Sequence, residues 1–154
     1  MYDDQFWWKK DDIEFWKNIL QSSSILELAA GTGRLGIPLI QHGCNYTGLE
    51  LSKKYCDFAN KKLNNQNNSF ICGDMRFFQL NKKFDKIFIP FNSLLHLLNE
   101  KDLQSTLSSI KEHMHLNSEL YIDIFMPQAS HLYNSFNKKR IEIFNSTNSK
   151  DTVV

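Results

Sequence analysis

Apolar residues fall into short blocks along this chain, and the spacing within each block predicts a strand or a helix. Strands are predicted at 25–29, 45–49, 69–72, 84–89 and 120–125, and the nearly continuous apolar content of the first is typical of a strand buried on both faces. Apolar residues at helical spacing stand at 11–21, 34–41, 53–63 and 101–113. In the last segment, one core-facing stripe is predicted from Leu103, Leu107, Ile110 and Met114. Strands that alternate with helices predict an α/β fold with a doubly wound, mainly parallel sheet and helices on both faces.

Local signals predict where several of these elements begin and end. Either Asp11 or Asp12 is expected to cap the first helix, and Ser52 the third. Pro38 is tolerated in the second helix only if it lies in or next to the first turn, and Gly43 is expected to end that helix in the left-handed conformation. The asparagine-rich stretch at 64–68 predicts a loop.

The pattern weakens after Pro127, where 140–144 predicts at most one more strand. We therefore expect a single domain in three parts: an N-terminal helical segment at 1–23 that covers the ligand site, a core at 24–127, and a reduced C-terminal extension at 128–154. The C-terminal part of the sheet is therefore expected to be short or incomplete. Because an unfinished sheet exposes an edge, self-association or pairing with a partner chain through that edge is expected.

Composition narrows the function classes. The formal net charge is +1, and basic residues are interspersed with nearly as many acids along the chain, so a nucleic-acid partner is not expected. No apolar run is long enough to span a membrane. The N-terminus lacks a secretory pattern, so a cytoplasmic location is expected. Cys44, Cys56 and Cys72 have no metal-type spacing and are expected to be buried free thiols in a reducing compartment. His113 and His115 lack a third ligand at a suggestive spacing, so no metal site is predicted.

A glycine-rich turn follows the first predicted strand, and the chain is organised around it. Gly31, Gly33 and Gly36 match the dinucleotide-binding fingerprint, so a nicotinamide- or flavin-dependent oxidoreductase is one interpretation. Glu27 stands four residues before the first glycine, where its charge would repel a pyrophosphate at the helix N-terminus. An acid at this position suits a ligand that carries a positive group.

Two further acids follow the next two strands. Glu50 ends the second strand, where a carboxylate can accept both hydroxyls of a ribose, although this chemistry fits NAD equally well. Asp74 follows the third strand and can accept a hydrogen bond from the amino group of adenine, with Met75 packed against the ring. Together with Glu27, these residues describe a ligand with an amino group, a ribose and an adenine but no obligatory phosphate.

At this point the chain resembles the class I S-adenosylmethionine-dependent methyltransferases, and most closely their small-molecule branch, with a Rossmann-like domain. The resemblance covers about residues 2–127. It rests on four segments in the family's order and spacing: Glu27-Leu-Ala-Ala-Gly31-Thr-Gly33-Arg34, Gly48-Leu-Glu50-Leu-Ser52, Gly73-Asp74-Met75-Arg76 and the stretch 84–97. It implies S-adenosyl-L-methionine as the cofactor and methyl transfer to a small-molecule acceptor.

The resemblance also implies roles for individual residues. Glu27, Gly31 and Gly33 would surround the methionine part of the cofactor, with Arg34 closing the matched segment. Glu50 would hold the ribose hydroxyls with Leu51 against the adenine. Asp74 would bind the adenine amine beside Met75. Ala29 replaces the family's usual first glycine, and its small methyl group is expected to change the approach of the backbone only slightly.

The acceptor side of the site is less defined. Methyl transfer is an in-line displacement in which alignment can supply much of the catalysis, so no catalytic base is assigned. The candidates for the acceptor site are Tyr2, Asn92 and His96; Asn92 and His96 are four residues apart, which places them on one face if the segment is helical. Local capping would explain Asn92 equally well, and packing in the core or at its edge is the favoured alternative for Tyr2 and His96.

The family's sheet normally continues past its fifth strand with an antiparallel pair, and here only about 27 residues remain after Pro127. Three explanations follow: a fragment, a partner subunit that completes the sheet, or a binding protein without turnover. The alternatives to a methyltransferase are therefore an NAD-type oxidoreductase that uses Gly31, Gly33 and Gly36, and a non-catalytic S-adenosylmethionine-binding or assembly module.

Overall fold

The computed structural model describes residues 10–21, 23–63 and 67–126, together with the backbone of two short strands near the C-terminus. The chain forms two compact units. The larger unit, Asp11–Ile124, carries the sheet and helices discussed below. The other consists of 1–10 and 125–154, and its described part includes an antiparallel pair of strands, β6 (Phe144–Asn145) and β7 (Thr152–Val153). Most of the predicted extension at 128–154, including 140–143, lies outside the described residues.

Five parallel strands form the sheet of the larger unit, in the order β3-β2-β1-β4-β5. Their bounds are β1 Ser24–Leu28, β2 Asn45–Glu50, β3 Ser69–Cys72, β4 Phe84–Ile89 and β5 Met114–Ile122. The chain moves outward from β1 to β3 and then returns to the other side of β1, so the direction of winding reverses between β1 and β4. The doubly wound parallel sheet predicted from the sequence is confirmed, and ligands of such sheets bind at the carboxyl ends of the strands near this reversal.

The fifth strand differs from the prediction at both ends. It begins at Met114 rather than at 120, because Met114 pairs with Phe84 before a local irregularity in the ladder. It ends at Ile122, the partner of Ile89 at the end of β4, because the backbone after Pro90 leaves the extended conformation and is left-handed at Phe91 and Asn92. The prediction that Asp123 lies inside the strand is therefore wrong, and its side chain is exposed rather than buried.

Four α-helices flank the described sheet: α1 Asp11–Leu20, α2 Gly36–Gln41, α3 Lys53–Asn60 and α4 Glu100–Glu112. Ser52 caps α3 as predicted, since its side chain accepts a hydrogen bond from the Tyr55 N–H. Gly43 has a φ of +97°, which confirms the left-handed position after α2. Helix α2 begins two residues later than predicted because 33–35 complete the glycine turn first. Helix α3 ends three residues earlier than predicted, in a turn at 61–62.

The buried face of α4 also differs from the prediction. Leu107 is 40% exposed, whereas Thr106 and Ile110 are buried. A threonine can occupy the core here because its hydroxyl donates to the carbonyl oxygen of Asp102 at 2.9 Å. His113, which follows the helix, is buried beside these residues. The core-facing side of α4 is therefore rotated by about one residue from the apolar stripe.

The sheet is covered on both faces, as the apolar strands predicted. Side chains of β1 alternate between two core clusters: Ile25 packs with Trp16 and Leu20 of α1, while Leu26 packs with Ile110 of α4 on the other face. Glu27 points to the same face as Ile25. An acid is thereby placed inside the first cluster, at the end of the central strand.

Candidate ligand site at the carboxyl ends of the strands

Glu27 is a buried carboxyl group with one side-chain partner among the described residues. It is 3% exposed, and the Tyr46 hydroxyl donates to its Oε2 at 2.6 Å. Burial raises the pKa of Glu27 to about 8, although the Tyr46 hydrogen bond and the charge of Arg34 oppose the rise. The carboxyl is therefore largely protonated at neutral pH. Its charge does not by itself exclude a pyrophosphate, contrary to the reasoning from sequence.

The glycines of the turn have different physical roles. Gly33 has a φ of +81°, and a methyl group there would lie 2.8 Å from the Phe70 ring. A methyl group on Gly36 would lie 2.5 Å from Tyr46. Tyr46 and Phe70 pack against each other with their ring centroids 5.2 Å apart, so these two glycines let the turn and α2 sit directly on an aromatic pair. Their match to the dinucleotide fingerprint is explained by packing inside the protein.

Gly31 is different, because it faces space. Its φ is +57°, and a methyl group placed on it would meet no heavy atom of the described residues within 4 Å. A ligand can approach the backbone closely at this point.

Ala29 is the third residue of the turn with a left-handed backbone, at a φ of +60°. This conformation is disfavoured for residues with a Cβ. The main consequence of replacing the family's glycine is therefore backbone strain at the end of β1, which the sequence did not indicate. Strain of this kind is frequent at functional sites.

Glu50 joins the turns that follow β1 and β2. Its Oε2 accepts from the Gly31 N–H at 2.9 Å, and its Oε1 accepts from the Ser52 N–H at 2.8 Å. Each carboxylate oxygen can accept two hydrogen bonds, so each has capacity for one more beyond these backbone donors. Leu51 is 69% exposed beside it. The two backbone bonds hold the carboxylate in one orientation next to the space at Gly31, a geometry that fits two adjacent hydroxyl groups.

Asp74 is engaged more fully than the sequence indicated. Its carboxylate accepts from the Arg76 backbone N–H at 2.9 Å and from the Arg76 guanidinium, with the shortest distance 2.6 Å between Nη2 and Oδ2. These bonds, above all the guanidinium, lower the pKa of Asp74. Arg76 also reaches Asp102 of α4 at 3.2 Å. An adenine amine would have to share or displace one of these donors, while Met75 packs against the second core cluster.

Arg34 links three parts of the larger unit. Its guanidinium pairs with both carboxylate oxygens of Asp12, at 3.0 Å and 2.7 Å, and lies 5.3 Å from the centroid of the Phe91 ring. Asp12 and Arg34 are only 13% and 12% exposed. Asp12 lies in the first turn of α1, so its main contact is this distant pairing rather than the predicted cap. A contact between residues 22 positions apart leaves no local signal in the sequence.

A second strained segment follows β4, on the opposite side of the reversal point from Ala29. Phe91 and Asn92 have φ values of +56° and +61°. Asp123 holds them in place: its carboxylate accepts from the Phe91 N–H at 3.0 Å, and its carbonyl oxygen accepts from the Asn92 N–H at 3.1 Å. The backbone is thus left-handed after both β1 and β4, where a doubly wound sheet binds its ligand.

The predicted pairing of Asn92 with His96 on one helical face is wrong. Residues Ser93–His96 form a 3₁₀ helix, and Asn92 precedes it with a left-handed backbone. His96 is exposed on this segment. Tyr2, the remaining predicted acceptor-site residue, lies outside the described residues.

Of the other predicted features, His113 is a structural residue. Its Nε2 accepts from the Leu80 N–H at 2.8 Å, and its Nδ1 lies 2.7 Å from the Ser109 carbonyl oxygen. The side chain of His115 lies 3.0 Å from the Asp85 carboxylate.

Among the cysteines, Cys44 and Cys56 are buried as expected, whereas Cys72 is exposed, which contradicts the prediction for that thiol. No helix in the described ranges is long and apolar enough to cross a membrane.

The comparisons with known proteins agree on the fold and on the family. The model of a family described as "Methyltransferase domain" matches residues 25–116, more than half of the chain. The dTDP-3-amino-3,4,6-trideoxy-alpha-D-glucopyranose N,N-dimethyltransferase of Streptomyces venezuelae is 32% identical over 94 residues, which are 61% of this chain and 39% of that protein. The chain thus spans about two fifths of the length of this curated relative.

Solved structures give the same result. The glycopeptide N-methyltransferase MtfA, in complex with S-adenosyl-L-methionine, has a TM-score of 0.65 and 29% identity, covering 73% of this chain and 48% of MtfA. The sugar N-methyltransferase KedS8 from a Streptoalloteichus species has a TM-score of 0.69 and 23% identity, covering 81% of this chain and 53% of KedS8, which shows a shared fold. With a Rossmann-like parallel sheet and a family match over more than half of its length, this chain belongs to the family of S-adenosylmethionine-dependent methyltransferase domains.

Proposed function

We propose that this chain binds S-adenosyl-L-methionine at the carboxyl ends of β1 and β2 and transfers its methyl group to a small-molecule acceptor. The observation that carries the proposal is the position of Glu50. Its carboxylate is fixed by the Gly31 and Ser52 N–H groups, keeps capacity on both oxygens, and borders the space at Gly31. The ribose of the cofactor offers the two adjacent hydroxyls that this arrangement fits.

The remaining residues suit the other parts of the same ligand. Glu27 lies behind the glycine turn, where a positive group of the ligand would favour its ionised form. The exposed Leu51 offers an apolar surface for the adenine, and Met75 and Asp74 stand after the next strand. The cofactor supplies an activated methyl group, and the chain binds and orients it. Arg34 supports this site because its ion pair with Asp12 holds α1 against the glycine turn.

The segment after β4 is proposed as the acceptor side. Its backbone is held by Asp123, so the position of Asn92 is fixed relative to the end of β4. A small molecule with an amino group, such as an amino sugar, is the acceptor class we favour. The support for this class is that the curated relative is named for N,N-dimethylation of an amino sugar.

Two titrations test cofactor binding. Calorimetry of the full chain with S-adenosylhomocysteine is expected to show saturable binding, while NAD is expected to show none. Binding of NAD without binding of S-adenosylhomocysteine would favour the dinucleotide interpretation of Gly31, Gly33 and Gly36 and overturn the proposal.

Turnover is tested separately. With S-adenosylmethionine labelled in its methyl group, we expect label to pass to at least one member of a panel of amino sugars and other small amines. Binding of S-adenosylhomocysteine without transfer to any acceptor in the panel would support a non-catalytic cofactor-binding module instead.

A further inference from the structure

Two thiols lie at the edge of the proposed cofactor site, on neighbouring elements. Cys72 is the last residue of β3 and is paired in register with Glu50 of β2. Cys56 is in the first half of α3, six residues after Glu50. The Cys56 thiol donates to the Glu50 carbonyl oxygen at 3.4 Å, and the Cys72 thiol donates to the Leu51 carbonyl oxygen at 3.5 Å. The two sulfurs therefore contact consecutive carbonyl groups of one turn.

The two thiols are neighbours, since each donates to one of two consecutive carbonyl groups, those of Glu50 and Leu51. Burial is the main cause of a rise in the pKa of Cys56 to about 11, and the charge and hydrogen bond of Cys72 add to it. Cys56 is 3% exposed, whereas Cys72 is exposed to solvent. An oxidant from solution thus reaches Cys72 first, and the buried thiol stands next to it. Cys44, the third cysteine, is buried elsewhere and donates to the Gln21 carbonyl oxygen, so it offers an internal control.

We propose that Cys56 and Cys72 form a reversible disulfide when the chain meets a peroxide, and that this bond weakens cofactor binding; the second clause rests on the proposed function. The Cys72 sulfur attacks one oxygen of hydrogen peroxide, which gives a sulfenic acid and one water. The Cys56 sulfur then attacks the sulfenic sulfur, forms the S–S bond and releases a second water. The two thiols lose two electrons and two protons, and the peroxide is reduced to two waters.

The bond acts on the turn that holds Glu50. Bridging brings the two sulfurs to about 2 Å, so it draws the start of α3 toward the end of β3. It also removes both S–H donors from the Glu50 and Leu51 carbonyl groups. The Glu50 carboxylate depends on this turn for its orientation, because one of its two backbone donors is the Ser52 N–H. A displaced carboxylate makes weaker bonds to the ribose hydroxyls.

A peptide map tests the disulfide without using the cofactor. The reduced full chain is treated with a few equivalents of hydrogen peroxide, alkylated, digested without reductant and examined by mass spectrometry. We expect a peptide pair that joins Cys56 to Cys72, its disappearance after treatment with dithiothreitol, and Cys44 recovered in the alkylated form. The Cys72→Ser variant, changed at an exposed position, is expected to give no intramolecular bridge. Recovery of Cys72 mainly as sulfinic acid, or of chains joined through Cys72 to Cys72, would overturn the proposal.

A titration tests the effect on the site. S-adenosylhomocysteine is expected to bind the oxidised chain about tenfold more weakly than the reduced chain, the effect of losing about one charge-assisted hydrogen bond, with recovery after reduction. The Cys72→Ser variant is expected to keep its affinity after peroxide treatment. Equal affinities of the bridged and reduced chains would refute the coupling to the cofactor site. If the reduced chain does not bind S-adenosylhomocysteine at all, the proposed function fails, and the peptide map alone decides the disulfide.

Discussion

Replacement of Glu50 by alanine is the most informative perturbation of the proposed site. The carboxylate accepts from the Gly31 and Ser52 N–H groups and has capacity for two ribose hydroxyls. Hydrogen bonds to a charged group contribute about 1.5 to 3 kcal/mol, and water partly replaces those lost at a partly exposed position. Because both hydroxyls bind the same carboxylate, we expect the loss of the two hydrogen bonds together to weaken binding by about 1.5 to 3 kcal/mol. The dissociation constant for S-adenosylhomocysteine should therefore rise about 10- to 150-fold, at about 1.4 kcal/mol for each factor of ten.

The assay is calorimetric titration of the wild-type chain and the Glu50→Ala variant with S-adenosylhomocysteine. Glu112→Ala, which removes an exposed carboxylate at the end of α4, is the matched control and should leave the dissociation constant unchanged. A thermal unfolding curve of each variant shows whether the fold is retained. Unpaired Gly31 and Ser52 N–H groups should lower the stability of Glu50→Ala only modestly, since water reaches them at this position.

A second ligand separates a direct contact from a general disturbance of the turn. The 2′-deoxy analogue of S-adenosylhomocysteine lacks one of the two hydroxyls. It should bind the wild-type chain more weakly than the parent compound, whereas the Glu50→Ala variant should bind the two ligands with similar affinity. If the variant discriminates between them as strongly as the wild type does, Glu50 does not bind the ribose.

Three further changes test the surrounding structure. Ala29→Gly should raise the free energy of unfolding in urea by up to about 1 kcal/mol. The reason is that removing a left-handed alanine relieves about 1–2 kcal/mol of strain, whereas the greater entropy of glycine in the unfolded chain costs about 0.5–1 kcal/mol. A variant less stable than the wild type would show that Ala29 is not strained. Arg34→Ala should destabilise the chain by about 2–3 kcal/mol, because it leaves Asp12 unpaired near the core. A double-mutant cycle with Asp12→Ala should show strong coupling between the two residues, whereas additive effects would show that their ion pair does not stabilise the fold. Glu27 has a folded pKa of about 8 against an ordinary value of 4.5. Because the folded state then holds a proton that the unfolded state has lost, the contribution of Glu27 to stability should be fully present below about pH 4.5 and be lost toward pH 8, by at most about 1.4 kcal/mol per pH unit. Glu27→Gln should remove this component; a pH profile that the variant does not change would place the titration elsewhere.

Much of the fold follows from the order of the apolar segments. The bounds of β3 and β4 match their predicted ranges, β1 is shifted by one residue, and β2 starts at the predicted residue and is one residue longer. The early start of β5 was not predictable in this way. Residues Met114–Glu119 are largely polar and exposed; Met114 and Glu119 pair with Phe84 and Lys86 of β4, and the residues between them form an irregularity in the ladder. Pairing with a neighbour, rather than hydrophobic pattern, defines that half of the strand.

The helices show a similar limit. The cap of α3 by Ser52 is local and was predicted, while the buried face of α4 was not, because Thr106 enters the core by bonding to the carbonyl group of Asp102. A pattern that counts threonine as polar places the buried face on Leu107 instead. The remaining error is only about one residue of rotation, yet it moves a leucine to the surface.

In the candidate site, too, some features were predictable from the sequence and others were not. The positions of Glu27 and Glu50 toward the carboxyl ends of neighbouring strands follow from the parallel sheet that the sequence predicted. The engagement of Asp74 by Arg76 and of Arg34 by Asp12 does not, since long polar side chains choose their partners only in the folded chain. The packing role of Gly33 and Gly36 was also hidden, because a fingerprint does not distinguish a glycine that faces a ligand from one that faces an aromatic ring.

The central claim is most directly tested by an experimental structure of the full chain in complex with S-adenosylhomocysteine. We predict both ribose hydroxyls within about 3 Å of the Glu50 carboxylate oxygens, with the homocysteine part beside the open face of Gly31. A ligand bound away from the carboxyl ends of β1 and β2, with Glu50 bonded only to the Gly31 and Ser52 N–H groups, would contradict the account.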